Sequence, residues 1–485
     1  MGKTISVLWK KDRKSADKGD KYVMTENGKK KGLQRFRVEQ IVAGSFGLII
    51  LIGFLLLLLP ISHAPGENTH WTDALFTAVS AVCVTGLVTV PTALHWSVFG
   101  KCVILVLIQL GGLGILACAT ATLLLLGRRL SMHTQRLIAE NYNLDTMNGL
   151  IGVIRKIVGG TLLVEAVGAI PYAVVFIPEY GFPSGLFRAV FNSVSCFCNA
   201  GMDILGEDSL VPYVTDPIVN INTMILIIVG GIGFFVWFDL IHTVKSTWRK
   251  KKSARSFFQK LTLHTRMALV VTLFLIVAGT VLIACFDWNN PDTLGNLSVP
   301  EKIMAAMFQS VTTRTAGFQT IPQENFTNSS AFISLLLMFI GGSPMGTAGG
   351  MKTTTVAVIF LTMIAYLRGR DATELYNRRL RASDVRSALV VISLGVTVAF
   401  TGIVLLSAVT DAGAMDVLYE VISAVGTVGL TRGLTPMLNT AGKLIIIAVM
   451  YCGRIGPVTL AMAITVRMNA AQKQIRFPEE KIMIG

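Results

Sequence analysis

Four short stretches carry the pattern of residues best suited to chemistry. They are residues 80–87, 195–202, 311–318 and 423–430, and each ends an apolar run of about a dozen residues in a polar turn. The turns carry Gly86, Gly201, Gly317 and Gly429, spaced 115, 116 and 112 residues apart. Glycine adopts positive φ without steric cost, so it can aim successive backbone carbonyls to one side. Four such sets of carbonyls at one depth can replace the hydration shell of a monovalent cation. The candidate filter is therefore Val84, Thr85 and Gly86, with Asn199, Ala200 and Gly201, Thr315, Ala316 and Gly317, and Thr427, Val428 and Gly429. The cation is expected at the carbonyls of Thr85, Asn199, Thr315 and Val428. No ring of carboxylates occupies equivalent positions, and Asp203 stands alone beside its turn. Carbonyl ligands without carboxylates suit K⁺ better than Ca²⁺.

Such turns need a membrane scaffold, and the composition supplies one. Of 485 residues, 52% are hydrophobic and 15% charged, against about 25% charged in soluble domains. Long apolar segments lie near 40–60, 102–127, 157–178, 217–243, 267–286, 330–367, 387–410 and 441–466. About 20 apolar residues cross a bilayer. Four shorter pieces, near 73–85, 187–200, 302–316 and 415–428, fall between the members of each pair and read as re-entrant helices. The net charge is +15, with Lys and Arg gathered in 1–38, 128–156, 244–266, 368–386 and 467–485. Basic segments recur after every second span, so the positive-inside rule puts both termini in the cytoplasm. This distribution reads as membrane topology, with the lipid bilayer rather than nucleic acid as partner. The expected fold is an all-α polytopic membrane protein of eight transmembrane helices and four re-entrant pore helices. These form four tandem span–pore-loop–span repeats around one pseudo-fourfold pore: 39–127, 128–252, 253–369 and 370–468. A basic tail, 1–38, and a C-terminal tail, 469–485, flank them.

A second glycine register supports the repeats. The spans after the turns centre on Gly112, Gly231, Gly342 and Gly453, where small residues permit close helix packing. The third differs. Its segment is too long for one straight crossing at 1.5 Å per residue, and 341–350 holds five glycines and Pro344. A helix there is heavily penalised, so a broken span with an intramembrane loop is expected. Backbone without helix at that depth must face protein or water, which makes the loop a candidate gate: Gly341, Gly342, Ser343, Pro344, Gly346, Gly349, Gly350 and Lys352. Arg454 stands in the last span with ten uncharged residues before it and twelve after. A charge at that depth is costly and faces protein or water. It is expected to hold loop carbonyls or repel cations, with pairing to Glu165 as the plain alternative. Arg314 and Arg432 lie near the turns and are expected to point away from the axis. Asp73 and Asp416 read as N-terminal helix caps, and Asp239 as a solvated span end.

These residues carry a family resemblance. The stretches 191–203, 308–318, 341–354 and 477–485 resemble the membrane pore subunit of the Ktr/Trk/HKT superfamily of potassium transporters, most of all its KtrB type. The likeness covers roughly 35–485. It implies K⁺ uptake across a bacterial plasma (inner) membrane, a homodimer, and regulation by a cytosolic nucleotide-binding RCK-type ring (KtrA-like). It also implies Na⁺ stimulation, an obstructing role for the 341–350 loop and a matching arginine at Arg454. No covalently bound cofactor is expected, and K⁺ enters as cargo.

Two other classes compete. Secondary transporters coupled to H⁺ or Na⁺ also use broken helices and repeats, but theirs are often inverted, whereas these four share one orientation. An intramembrane enzyme would need paired carboxylates or a nucleophile with its base. Glu165 and Asp239 lie in different repeats, and the seven cysteines and six histidines form no metal framework.

Overall fold

The computed structural model describes residues 38–114, 150–248, 254–456 and 459. The expected tails, most of the 128–156 segment, the end of the 102–127 span and nearly all of the last span beyond Gly456 lie outside the described residues. In chain order, the stretch expected as the first repeat contains α1 (Val38–Leu57), α2 (Trp71–Cys83), the single turn α3 (Thr92–His95) and α4 (Val98–Leu113). The second contains α5 (Leu150–Tyr180), α6 (Phe182–Cys198), α7 (Pro217–Gly231) and α8 (Phe234–Trp248). After α9 (Ala254–Lys260), the third contains α10 (Leu263–Asp287), α11 (Val299–Thr312), α12 (Asn328–Phe339) and α13 (Thr353–Leu367). A two-residue hairpin pairs Glu374 with Arg379. It leads to the fourth repeat: α14 (Ala382–Ser407), α15 (Ala414–Gly426) and α16 (Thr440–Ile455).

Local sequence explains where the helices start. Thr262 caps α10 by accepting from the Thr265 N–H. Ser298 and Glu301 form a capping box on α11, with a proline in its first turn. Asp73 and Asp416 sit in the first turns of α2 and α15, where a negative charge meets the positive helix end.

Polarity is arranged for hydrocarbon. Leu163, Phe274 and Phe400 on the long helices are 66%, 67% and 67% exposed, while Ser80, Ser195, Thr312 and Ser423 on the short ones are fully buried. Water would penalise such an apolar outer face; lipid does not. The short helices α2, α6, α11 and α15 form the inner layer. Each packs on the long helix before it and on the helix that follows the preceding turn: α4 on α6, α7 on α11, α12 on α15, and α16 back on α2. The closure from fourth repeat to first makes the arrangement cyclic.

The spans are less regular than the sequence implies. Among the described residues, α1, α5, α10 and α14 alone are unbroken and long enough to cross. Among the described residues, no second member of a pair runs as one unbroken helix of spanning length. Helix α4 ends at Gly114 (φ 84°, ψ 133°) and α16 at Gly456 (φ 90°, ψ 133°). Helices α7 and α8 meet at 97° across Gly233, φ 96°. The expected straight span over 217–243 is therefore bent. In the third repeat the corresponding position is Pro344, whose ring forbids positive φ. There the chain leaves the helix from Ile340 to Lys352, and its ends meet in a bridge between Ile340 and Met351.

Candidate functional site

The four inner helices end alike. Val84, Asn199, Thr315 and Thr427 all have positive φ (55°, 59°, 68° and 49°), and two residues on, Gly86, Gly201, Gly317 and Gly429 do too (93°, 65°, 78° and 97°). Left-handed geometry is uncommon for any residue with a Cβ and worst for β-branched ones, so three of these turns hold strain that their surroundings must enforce. Helix-end bonds do part of this. Thr85, Ala200 and Val428 each donate their N–H to Ser80, Ser195 and Ser423 carbonyls at 2.8 Å, and Ala316 to Thr312 at 2.9 Å.

The turns meet around one centre. A Cβ on Gly86 would lie 2.6 Å from the Ala200 carbonyl oxygen, and one on Gly201 2.7 Å from that of Ala316. On Gly317 and Gly429 it would overlap the Val428 and Thr85 carbonyl oxygens. The contacts run first turn to second, third, fourth and back to first, so a ring of backbone closes with no room for side chains at the glycines. The four equivalent carbonyls at this level are Thr85, Ala200, Ala316 and Val428. The expected set of Thr85, Asn199, Thr315 and Val428 therefore mixes two levels, because Asn199 and Thr315 stand one residue earlier.

Two further registers shift. The short helix α11 reaches its turn one residue sooner, with Phe308 fully buried like Phe76 and Phe191. In the spans, Gly111, Gly230 and Gly453 are the true equivalents, since a Cβ on each would overlap the Val82, Phe197 or Val425 carbonyl. Gly112, Gly231 and Gly342 then correspond to Arg454, which is why that position alone carries a charge.

Sequence reasoning passed over the hydroxyls that tie the turns back. Ser80 and Ser423 accept the N–H of Gly86 and Gly429 at 3.1 and 3.0 Å. Ser195 donates to the Met202 carbonyl, and Thr312 to that of Phe318. A serine opening three of the four stretches was the available signal. Behind the third and fourth turns, Gln309 and Gln323 exchange amide bonds at 2.6 and 3.2 Å, and Tyr419 donates to Gln323 Oε1 at 2.8 Å.

The loop after α12 lies against the inner ends of these turns. Gly341 must be glycine because a Cβ would overlap the Gly349 carbonyl across the loop neck. Ser343 N–H donates to Gly231 O at 2.9 Å, and its hydroxyl lies 3.0 Å from that of Thr353. Lys352 Nζ turns back to Ala348 O at 2.8 Å. Arg454 donates to Thr347 O in the loop at 2.7 Å and to Gly111 O in α4 at 2.5 Å. Gly112, Gly114, Pro344, Gly346, Lys352 and Arg454 line one cavity on this side.

The remaining charges have other partners. Glu165 is bonded by Gln109 Nε2 at 3.2 Å, and no bond joins it to Arg454. Arg432 pairs with Asp416 at 2.9 Å and donates to the Gln323 and Glu324 carbonyls. Arg314 donates to Thr272 on α10, behind the turn. Asp73 pairs with Lys443 at 2.6 Å. Asp239 is not a free span end: it accepts from Thr262 N–H and hydroxyl at 3.0 and 2.9 Å.

Known proteins are similar to this chain. A family model described as cation transport protein, TrkH, matches residues 35–474. The chain is 39% identical over 451 residues to the Ktr system potassium uptake protein B of Bacillus subtilis, covering 93% of this chain and 97% of that one. It is 38% identical over 464 residues to the potassium/sodium uptake protein NtpJ of Enterococcus hirae, covering 94% and 99%. The crystal structure of the potassium transporter TrkH from Vibrio parahaemolyticus superposes with a TM-score of 0.69 at 18% identity, over 90% of this chain and 87% of that one. The chain thus belongs to the TrkH family of cation transport proteins, and it is a transporter rather than an enzyme.

Proposed function

We propose that this protein takes up K⁺ across a bacterial plasma membrane through a channel-like pore. The closed ring of four glycine turns carries the reading, since each glycine abuts a backbone carbonyl of the next turn. Relatives named for potassium uptake support the choice of ion. Thr85, Ala200, Ala316 and Val428 supply one ring of ligands, and Val84, Asn199, Thr315 and Thr427 the next. The C-terminal ends of the inner helices face the same space, and their partial negative charge favours a cation. Flow follows the membrane potential, worth about 2.3 kcal/mol per charge per 100 mV. The 341–350 loop, with Lys352 and Arg454, is the gate. In this reading eight spans and four re-entrant helices make the four repeats 39–127, 128–252, 253–369 and 370–468. Both termini are cytoplasmic, and one chain makes one pore. The homodimer, the nucleotide-binding ring and Na⁺ stimulation complete it by family analogy.

The test is growth and cation uptake in a strain lacking its own potassium uptake. Wild type should restore growth at low K⁺ and prefer K⁺ to Na⁺, and Gly317→Ser should weaken that preference. Failure of wild type to carry K⁺, or an unchanged preference in Gly317→Ser, overturns the proposal. Strict dependence of wild-type uptake on a Na⁺ or H⁺ gradient would favour a coupled carrier instead.

A further inference from the structure

The loop touches more than the path it is proposed to close. Thr347 has all its polar groups engaged by three different elements. Its hydroxyl donates to Phe197 O at 2.9 Å, its N–H to Gly230 O at 3.2 Å, and its carbonyl accepts from Arg454 at 2.7 Å. Phe197 lies in the last turn of α6, where carbonyls lack intrahelical partners. It stands two residues before Asn199, the left-handed residue of the second turn. The far side of the loop meets the fourth turn. A Cβ on Gly349 would overlap the Thr427 hydroxyl, and on either Gly349 or Gly350 it would come within 3.2 Å of Gly426 O. Thr427 is the left-handed residue of that turn. In the ring order, the second and fourth turns are opposite each other. The loop is therefore a brace across the filter's inner end.

The braced residues need it. Asn199 and Thr427 are buried in the left-handed conformation, which is strained for the β-branched Thr427, and their side-chain polar atoms have no hydrogen-bond partner. Strain of this kind persists only while neighbours over-determine it. Asn199 packs beside Gly231, whose Cβ site lies 3.3 Å from Nδ2, and Gly231 O in turn holds the loop through Ser343.

We propose that the loop sets filter geometry as well as closing the path below it, with Thr347 and the Gly349–Thr427 contact as positioning elements for ion selection. This deepens the proposed function and rests on it. A loop that moves then frees the Phe197 carbonyl and the Thr427 side chain together, so cation preference changes with gate position.

The experiment uses full-length protein in proteoliposomes and measures Rb⁺ and Na⁺ uptake side by side. Thr347→Val keeps the shape and removes the donor; Thr347→Ser keeps the donor. Thr347→Val should lower the Rb⁺/Na⁺ ratio by about threefold to tenfold, the scale of one lost hydrogen bond, and Thr347→Ser should keep the wild-type ratio. Gly349→Ala, which leaves the Thr347 bonds intact and presses on Thr427, should also lower the ratio, and it decides the matter should Thr347→Val not fold. Altered flux with a wild-type ratio in Thr347→Val and Gly349→Ala would overturn the proposal, because a loop that only gates changes rate and not preference. If the wild type carries no Rb⁺, the pore reading itself fails, which is a separate outcome.

Discussion

At the level of the four turns, the repeats are near copies. Each has a left-handed residue, an intervening carbonyl and a positive-φ glycine, and each is tied to a hydroxyl of its own inner helix. Just below, the repeats part company. Helices end at Gly114 and Gly456 and bend at Gly233, while the third repeat, carrying Pro344, inserts a loop, and the fourth puts Arg454 where the others have Gly112, Gly231 and Gly342. Equivalent carbonyls suit an ion that must be ligated from all sides. A single loop suits control, because one element must be able to move without dismantling the ring. In the proposed function this contrast separates selection from gating in space, and the Thr347 and Gly349 contacts join the two regions.

The comparison breaks most sharply at the glycines. Gly86→Ala, Gly201→Ala, Gly317→Ala and Gly429→Ala each set a Cβ against a neighbour's carbonyl and add a left-handed cost of about 1–2 kcal/mol. Each should reduce K⁺ uptake by about tenfold or more, since ~1.4 kcal/mol is a factor of ten. Wild-type uptake from any one of the four would show that its turn stands outside the ring.

Replacing Arg454 should give a smaller effect of opposite sign. Arg454→Gly copies the first and second repeats and removes the bonds to Thr347 O and Gly111 O. Initial K⁺ flux should rise about threefold to tenfold, the scale of one ordinary net hydrogen bond. Slower flux from correctly inserted protein would assign Arg454 a purely structural role.

The hydroxyl ties sharpen the likeness of the turns. Ser80→Ala and Ser423→Ala each remove an acceptor from a filter N–H, worth about 1 kcal/mol. The two variants should lower the K⁺/Na⁺ uptake ratio by a similar factor, about threefold. A large effect in one and none in the other would mean that the repeats share a shape but not a burden.

Much of this was legible in the sequence, for reasons that vary by residue. Gly86, Gly201, Gly317 and Gly429 stand out because positive φ beside a neighbour's backbone admits nothing larger. The loop stands out because five glycines and a proline in ten residues oppose a helix. The bend at Gly233 was not legible, since Gly230, Gly231 and Gly233 read equally well as close packing. The one-residue slip at Gly112 has a simple cause: adjacent glycine residues fit a spacing count equally, and only the partner carbonyl tells them apart. The same ambiguity mixed the two carbonyl levels. The proposed bracing role of Thr347 depends on Phe197, 150 residues away, and no local pattern reports it.

The most direct measurement is K⁺ flux into proteoliposomes, with an imposed membrane potential and no Na⁺ or proton gradient, comparing wild type with a variant in which 343–350 is replaced by a shorter linker. A gated pore predicts that the variant inserts normally and conducts K⁺ faster than wild type. Loss of transport in a correctly inserted variant, with wild-type flux that requires a coupling gradient, would contradict it and make the broken span part of a carrier's binding site.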